Sequence, residues 1–211
     1  MDKMIDKNLE KLEKLINSKL STKIINSEIK FDELLIEIRQ EELISVLQFL
    51  KTDENCKFRQ LIDIAGVDYP NQSKRFNLVY FLLSHEYNLR IKIKVKIDKD
   101  QKSLSVTKIF PSANWMEREI FDMFGVKFNN HPDLRRILTD YNFEGYPLRK
   151  DFPLTGFTEV RYSEKEKKVI SEPVKLEQNY RDFDFESPWE GTSYLENIKN
   201  KENEKNKKTK S

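Results

Sequence analysis

A chain of 211 residues, 35% charged and 37% hydrophobic, has room for one domain with appendages around a single core and is too short for two large independent domains. Its 38 Lys and Arg against 36 Asp and Glu leave a net charge of +2. The basic excess sits in the Lys-rich residues 196–211, so the body is near neutral and offers nucleic-acid phosphates little. The longest run without a charged residue, residues 76–85, spans ten positions, half of the about 20 that a membrane-spanning helix needs.

Ile5, Leu9, Leu12, Ile16 and Leu20 recur at helical spacing, which predicts an amphipathic N-terminal helix over residues 1–22. Asp2, Asp6, Glu10 and Glu13 in that stretch do not suit an acid-poor transit peptide, and no apolar secretory core is visible. A core domain is expected over residues 23–157. It starts with a short strand at 34–38 and a helix at 41–51 that buries Leu43, Val46, Leu47 and Leu50, followed by a strand at 61–67 ended by Asp68, Tyr69 and Pro70. Residues 76–83 are almost continuously apolar. Residues 89–97 alternate strictly, with Arg90, Lys92, Lys94 and Lys96 on the face that is wet or meets something acidic.

With a further strand at 104–110 these segments predict an antiparallel meander, and flanking helices make the class α+β. A helix over 112–124 is expected to turn Trp115, Ile120, Met123 and Phe124 inward and to stop at Gly125, and Pro132 is expected to open a short helix over 131–138. Residues 158–195 read as a hairpin and a long extended C-terminal arm, whose Phe183, Phe185 and Trp189 are expected to dock in grooves. Residues 196–211 are low-complexity and expected to be disordered or a frayed, charged helix.

The composition narrows the chemistry. Cys56 is the one cysteine, which excludes a disulfide framework, a Cys-rich zinc site and a self-contained iron–sulfur cluster. The five glycines lie too far apart for a dinucleotide or P-loop fingerprint. The most suggestive cluster is Glu117, Arg118, Glu119 and Asp122 with His131 downstream. Its spacing permits a carboxylate–histidine metal site, and hence a metal-dependent hydrolase, but suits ion pairing at a protein contact better. Arg135, Arg136 and Arg149, set among Tyr141, Phe143, Tyr146 and Phe152, suit bidentate pairing at an interface.

Glu117-Arg118-Glu119-Ile120-Phe121-Asp122, His131-Pro132-Asp133-Leu134-Arg135-Arg136 and Tyr146-Pro147-Leu148-Arg149-Lys150-Asp151-Phe152-Pro153-Leu154 together resemble the signature of the C subunit of NADH:quinone oxidoreductase, which is subunit 9 of mitochondrial respiratory complex I. The likeness extends through Glu159-Val160-Arg161-Tyr162 and residues 183–190, and more weakly back to about residue 31. It implies a core structural subunit of the peripheral arm that carries no cofactor, with FMN and iron–sulfur clusters held by partner subunits. The implied partners are other complex I core subunits, chiefly the hydrogenase-like subunit of the quinone pocket. Attachment to the membrane would be through the complex, on the matrix side of the mitochondrial inner membrane or the cytoplasmic face of a bacterial plasma membrane. A composition rich in Lys, Asn, Ile and Phe fits an AT-rich genome of either kind. Membrane-bound hydrogenases contain related subunits and remain an alternative assembly.

Overall fold

The computed structural model describes residues 2–176, with side chains from residue 8 onward. Helix α1 (Asp2–Leu20) lays Leu9, Leu12, Ile16 and Leu20 into the core. The Ser27 hydroxyl, on strand β1 (Ile24–Lys30), accepts from Asn17 and donates to Glu13, both on α1. Strand β2 (Glu33–Ile38), a 3-10 turn (Gln40–Glu42) and helix α2 (Leu43–Thr52) follow. Then come β3 (Gln60–Asp68), β4 (Phe76–Ser84) and β5 (Leu89–Ile97). These strands form one five-stranded mixed sheet in the order β1-β2-β5-β4-β3.

The antiparallel meander exists, but it is β3-β4-β5, and the other neighbour of β5 is β2, in parallel. Charge and apolar patterns fix that register together. Leu34, Ile36 and Ile38 lie opposite Ile91, Ile93 and Val95 on the core face. On the other face Glu33 pairs with Lys92, while Glu37 meets Lys94 at 3.4 Å and Lys96 at 2.7 Å. The acidic counterpart of the lysine ladder is thus a neighbouring strand.

The strand expected over 104–110 is not formed. Only β6 (Ser103–Leu104) pairs, in parallel with β7 (Phe128–Asn129). The chain then turns, with the Ile109 and Phe110 amides donating to the Val106 carbonyl, and the side chains of Val106, Ile109 and Phe110 are buried from a loop. Helix α3 (Ala113–Phe124) packs across β3 and ends at Gly125 with φ +76°. Gly66 on β3 permits that approach, since a Cβ there would stand 2.8 Å from the Phe124 ring.

The helix expected over 131–138 is also absent: residues 130–157 run as turns and irregular chain. Beyond them, β8 (Thr158–Ser163) and β9 (Lys168–Pro173) pair as an antiparallel hairpin in a separate unit that begins at Thr158. The expected docking residues Phe183, Phe185 and Trp189, the extended arm and the Lys-rich tail lie outside the described residues.

Candidate functional site

The irregular chain after β7 is organised by one carboxylate of α3. Asp122 is fully buried. Its Oδ2 accepts the successive amides of Ile137, Leu138 and Thr139 at 2.9, 2.7 and 2.9 Å, and its Oδ1 accepts the Thr139 hydroxyl at 2.6 Å and Arg136 Nη1 at 3.0 Å. This explains the missing helix: the amides that would close its last turn are spent on a side chain instead. Burial alone would raise the Asp122 pKa, but the Thr139 hydroxyl and the three amides outweigh it and hold the carboxyl at about 2. Arg136 also donates to the Gly145 carbonyl at 2.9 Å and lies over the rings of Phe143 and Tyr146.

A second anchor lies at the end of α3. Arg149 Nε donates to the carbonyl of Phe124, the last residue of the helix, where a cation meets the negative end of the helix dipole. Its guanidinium stands 4.3 Å from the Tyr146 ring centroid. A Cβ on Gly125 would collide with both Arg149 and Tyr146, so that position requires glycine for space as well as for its φ.

The third anchor went unread in the sequence. Arg75 holds the buried Asp68 carboxylate by Nε at 2.7 Å and Nη2 at 2.8 Å, and reaches Asp151 through Nη1 at 3.0 Å. The Lys150 amide donates to the same Asp68 at 2.8 Å. Hydrogen bonds from Arg75 hold both carboxyls below their ordinary range. Asp68 reads in sequence only as a strand terminator before Pro70. Its one signal was a buried-strand position carrying a charge, with an Arg seven residues on.

The carboxylate–histidine metal site that the spacing permits is not assembled, for only Glu117 and His131 come together, 3.9 Å apart. Glu119 is exposed, Asp122 is saturated by the donors above, and Glu117 is fully buried with Oε1 accepting the Val106 amide at 2.7 Å. The helix is rotated relative to the sequence expectation, since Trp115 is 70% exposed while Glu117 takes the inward place. The stripe facing the sheet is Ala113, Glu117, Ile120 and Phe124, spaced as a helix face should be but with a carboxyl in it. His131 Nε2 bonds the Asn114 carbonyl at 3.0 Å. Arg118 donates to the carbonyls of Arg135 and Arg136, and Arg135 forks onto Asp133 at the surface. Among the described residues, no three His, Cys, Asp or Glu side chains are grouped to hold a metal ion, and Cys56 is buried with its thiol pushed up to about 12 by burial.

What the anchors present is a surface. Tyr141 is 97% exposed and Leu154 82%, with Leu138, Leu148 and Phe157 at least half exposed, all on the segment that the anchors fix. The family model "Respiratory-chain NADH dehydrogenase, 30 Kd subunit" matches residues 36–158, more than half of the chain. The chain belongs to that family. A relative from Mesorhizobium japonicum, named as the C subunit of NADH-quinone oxidoreductase, is 50% identical over 187 residues, covering 89% of this chain and 93% of the relative. For the relative of the same name in Ruegeria pomeroyi the identity is 55% over 172 residues, covering 82% and 86%. In fold the chain is similar to one in an archaeal respiratory membrane complex, the membrane-bound sulfane sulfur reductase. The TM-score is 0.61 at 24% identity, covering 84% of this chain and 98% of that one. This chain is accordingly the C subunit of an NADH-quinone oxidoreductase, part of complex I, and the metal-dependent hydrolase reading falls. All three anchors, Asp122 with Arg136, Arg149, and Arg75 with Asp68, lie within the residues that the family model matches, and they fold the chain and so form the surface indirectly.

Proposed function

We propose that this chain is a positioning subunit that carries no redox group and serves the enzyme by presenting a pinned, apolar surface to neighbouring core subunits, chiefly the hydrogenase-like subunit at the quinone pocket. FMN and iron–sulfur clusters then belong to partner chains. The observation that carries the reading is the exposure of Tyr141 and Leu154 on a segment held by three charged anchors, of which Asp122 and Asp68 are buried and Arg149 is half-buried. Large rigid apolar groups on an otherwise solvated surface are what a protein interface uses as anchors. Arg135, exposed beside them, and Arg118 and Glu119 on α3 are the polar rim of the same contact, while Arg136, Arg149, Asp122, Glu117 and His131 support it from within.

Among the described residues, no helix is long and apolar enough to cross a membrane. The relatives are bacterial subunits and give no support to a mitochondrial setting. We therefore read the chain as held through its partners at the cytoplasmic face of a bacterial plasma membrane. Residues 23–157 are the folded core of this reading. Residues 158–195 are its docking arm, with Phe183, Phe185 and Trp189 as the aromatic contacts.

The paired change Tyr141→Asp with Leu154→Asp should leave the melting temperature of the purified chain unchanged and remove it from the complex on native gels, with loss of NADH:quinone activity. Truncation after Leu195 should leave both normal, and truncation after Gln178 should abolish both. Normal assembly of the double variant and of the deeper truncation would overturn the docking reading.

A further inference from the structure

Glu117 lies at the centre of the α3 stripe, its side chain and that of His131 both fully inaccessible. Its Oε1 is satisfied by the Val106 amide. Its Oε2 has no hydrogen-bond partner among the described residues, and the same is true of the buried hydroxyls of Tyr80 and Ser103. The basic group nearest to it is His131, whose Nε2 stands 3.9 Å from Oε2. That ring is not a cation. The Asp133 amide donates to Nδ1 at 3.1 Å, so Nδ1 carries no proton, and Nε2 carries the one that is given to the Asn114 carbonyl. A second proton on Nδ1 would set one N–H against another.

The groups that face Glu117 are therefore the Tyr80 phenol from β4, the Ser105 hydroxyl and Val106 amide from the turn after β6, and the neutral His131 ring from the chain after β7. Tyr80 itself has its pKa raised, by burial first and then by the neighbouring Glu117, so it supplies no charge of either sign near neutrality. A carboxylate that faces one amide and one hydroxyl, with no countercharge and removed from water, is among the least favourable groups a core can hold. A carboxylic acid at the same place is neutral and has a hydrogen to give.

We propose that Glu117 is carried in the folded subunit as a neutral carboxylic acid with its proton on Oε2, so that α3 rests on the sheet through a buried acid, and that loss of this proton loosens the helix that presents Asp122. The direction of the pKa agrees: burial pushes the carboxyl up to about 7, against the Val106 amide and the Ser105 hydroxyl, which pull it down. The folded value lies above the ordinary 4.5. The stabilisation is thus complete below about 4.5, declines as pH rises, and is gone once pH has passed about 7. Asp122, held at about 2, titrates outside that window and with the opposite sign.

The test is a carboxyl-carbon NMR titration of the full chain labelled in Glu, from about pH 4 to about pH 9, with Glu117 assigned by triple-resonance correlation rather than by a variant. The expected result is a Glu117 midpoint near 7. A Glu117→Gln variant, which keeps the shape and a donor, should lose the decline in melting temperature that the native chain shows between about 4.5 and about 7. A Glu117 carboxyl ionised with a midpoint below about 5 overturns the proposal whether or not the variant folds. So does a Glu117→Gln chain whose melting temperature declines over that window as the native chain's does.

Discussion

Asp122→Ala is expected to lower the unfolding free energy of the purified chain by about 3 to 5 kcal/mol, the range for removing one partner of a buried, hydrogen-bonded charge pair. The change removes the acceptor for three consecutive amides, one hydroxyl and Arg136 at once, and leaves all of those donors without their partner. Asp122→Asn should lose less, because the amide oxygen can take over part of the cluster. The acid limb gives an independent check. With a folded value of about 2 against the ordinary 3.8, the Asp122 contribution is present above 3.8 and lost as pH falls through about 2. Urea unfolding of native chain and variant at neutral pH and near pH 2 should therefore show a gap that narrows with acid. A neutral-pH gap under about 1 kcal/mol, the size of an ordinary surface change, would contradict the staple reading of Asp122.

Arg75→Ala should cost about as much, for a different reason. Asp68 has a fully buried side chain and would keep only the Lys150 amide, leaving a carboxylate without its countercharge. Arg75→Lys should rescue little, because an ammonium cannot span Asp68 and Asp151 as the guanidinium does. The damage should be local before it is global. In hydrogen exchange on the full chain, the amides of Lys150 and Phe152 should lose protection while those at the β4–β5 pairing keep theirs. Unchanged exchange at Lys150 and Phe152 in the Arg75→Ala chain would show that this anchor does not hold the segment.

The elements that could be read in the sequence were those with their own period. The spacing of α1, the alternation of β5 and the apolar run of β4 are local signals, and each names both an element and its buried face. Other features depended on partners distant in the chain. The parallel seating of β2 beside β5 is set by Glu33 and Glu37 meeting Lys92, Lys94 and Lys96, which neither strand announces alone. Residues 104–110 look like a strand because Val106, Ile109 and Phe110 are apolar, but their burial comes from a loop whose Val106 amide is claimed by Glu117. Pro132 suggested a helix start, yet the amides of Ile137, Leu138 and Thr139 go to Asp122.

The candidate site was legible as a signature but not as a geometry. Reading Trp115 as inward follows side-chain polarity, whereas the spacing of Ala113, Glu117, Ile120 and Phe124 puts Glu117 on the buried face. Arg136 and Arg149 read in the sequence as interface groups suited to bidentate pairing; within the chain Arg136 holds Asp122 and Arg149 holds the Phe124 carbonyl. Arg75 and Asp68 carried no motif and needed the fold to bring residues 68, 75 and 151 together.

The central claim, that this chain works only as a cofactor-free member of NADH-quinone oxidoreductase, is tested most directly by native purification through a tag on the full chain, with flavin and iron measured on what co-purifies and on the chain expressed alone. The expected result is flavin, iron and NADH:quinone activity in the co-purified assembly and neither flavin nor iron on the lone chain. Stoichiometric flavin or iron on the lone chain, or an assembly that oxidises no NADH, would contradict it.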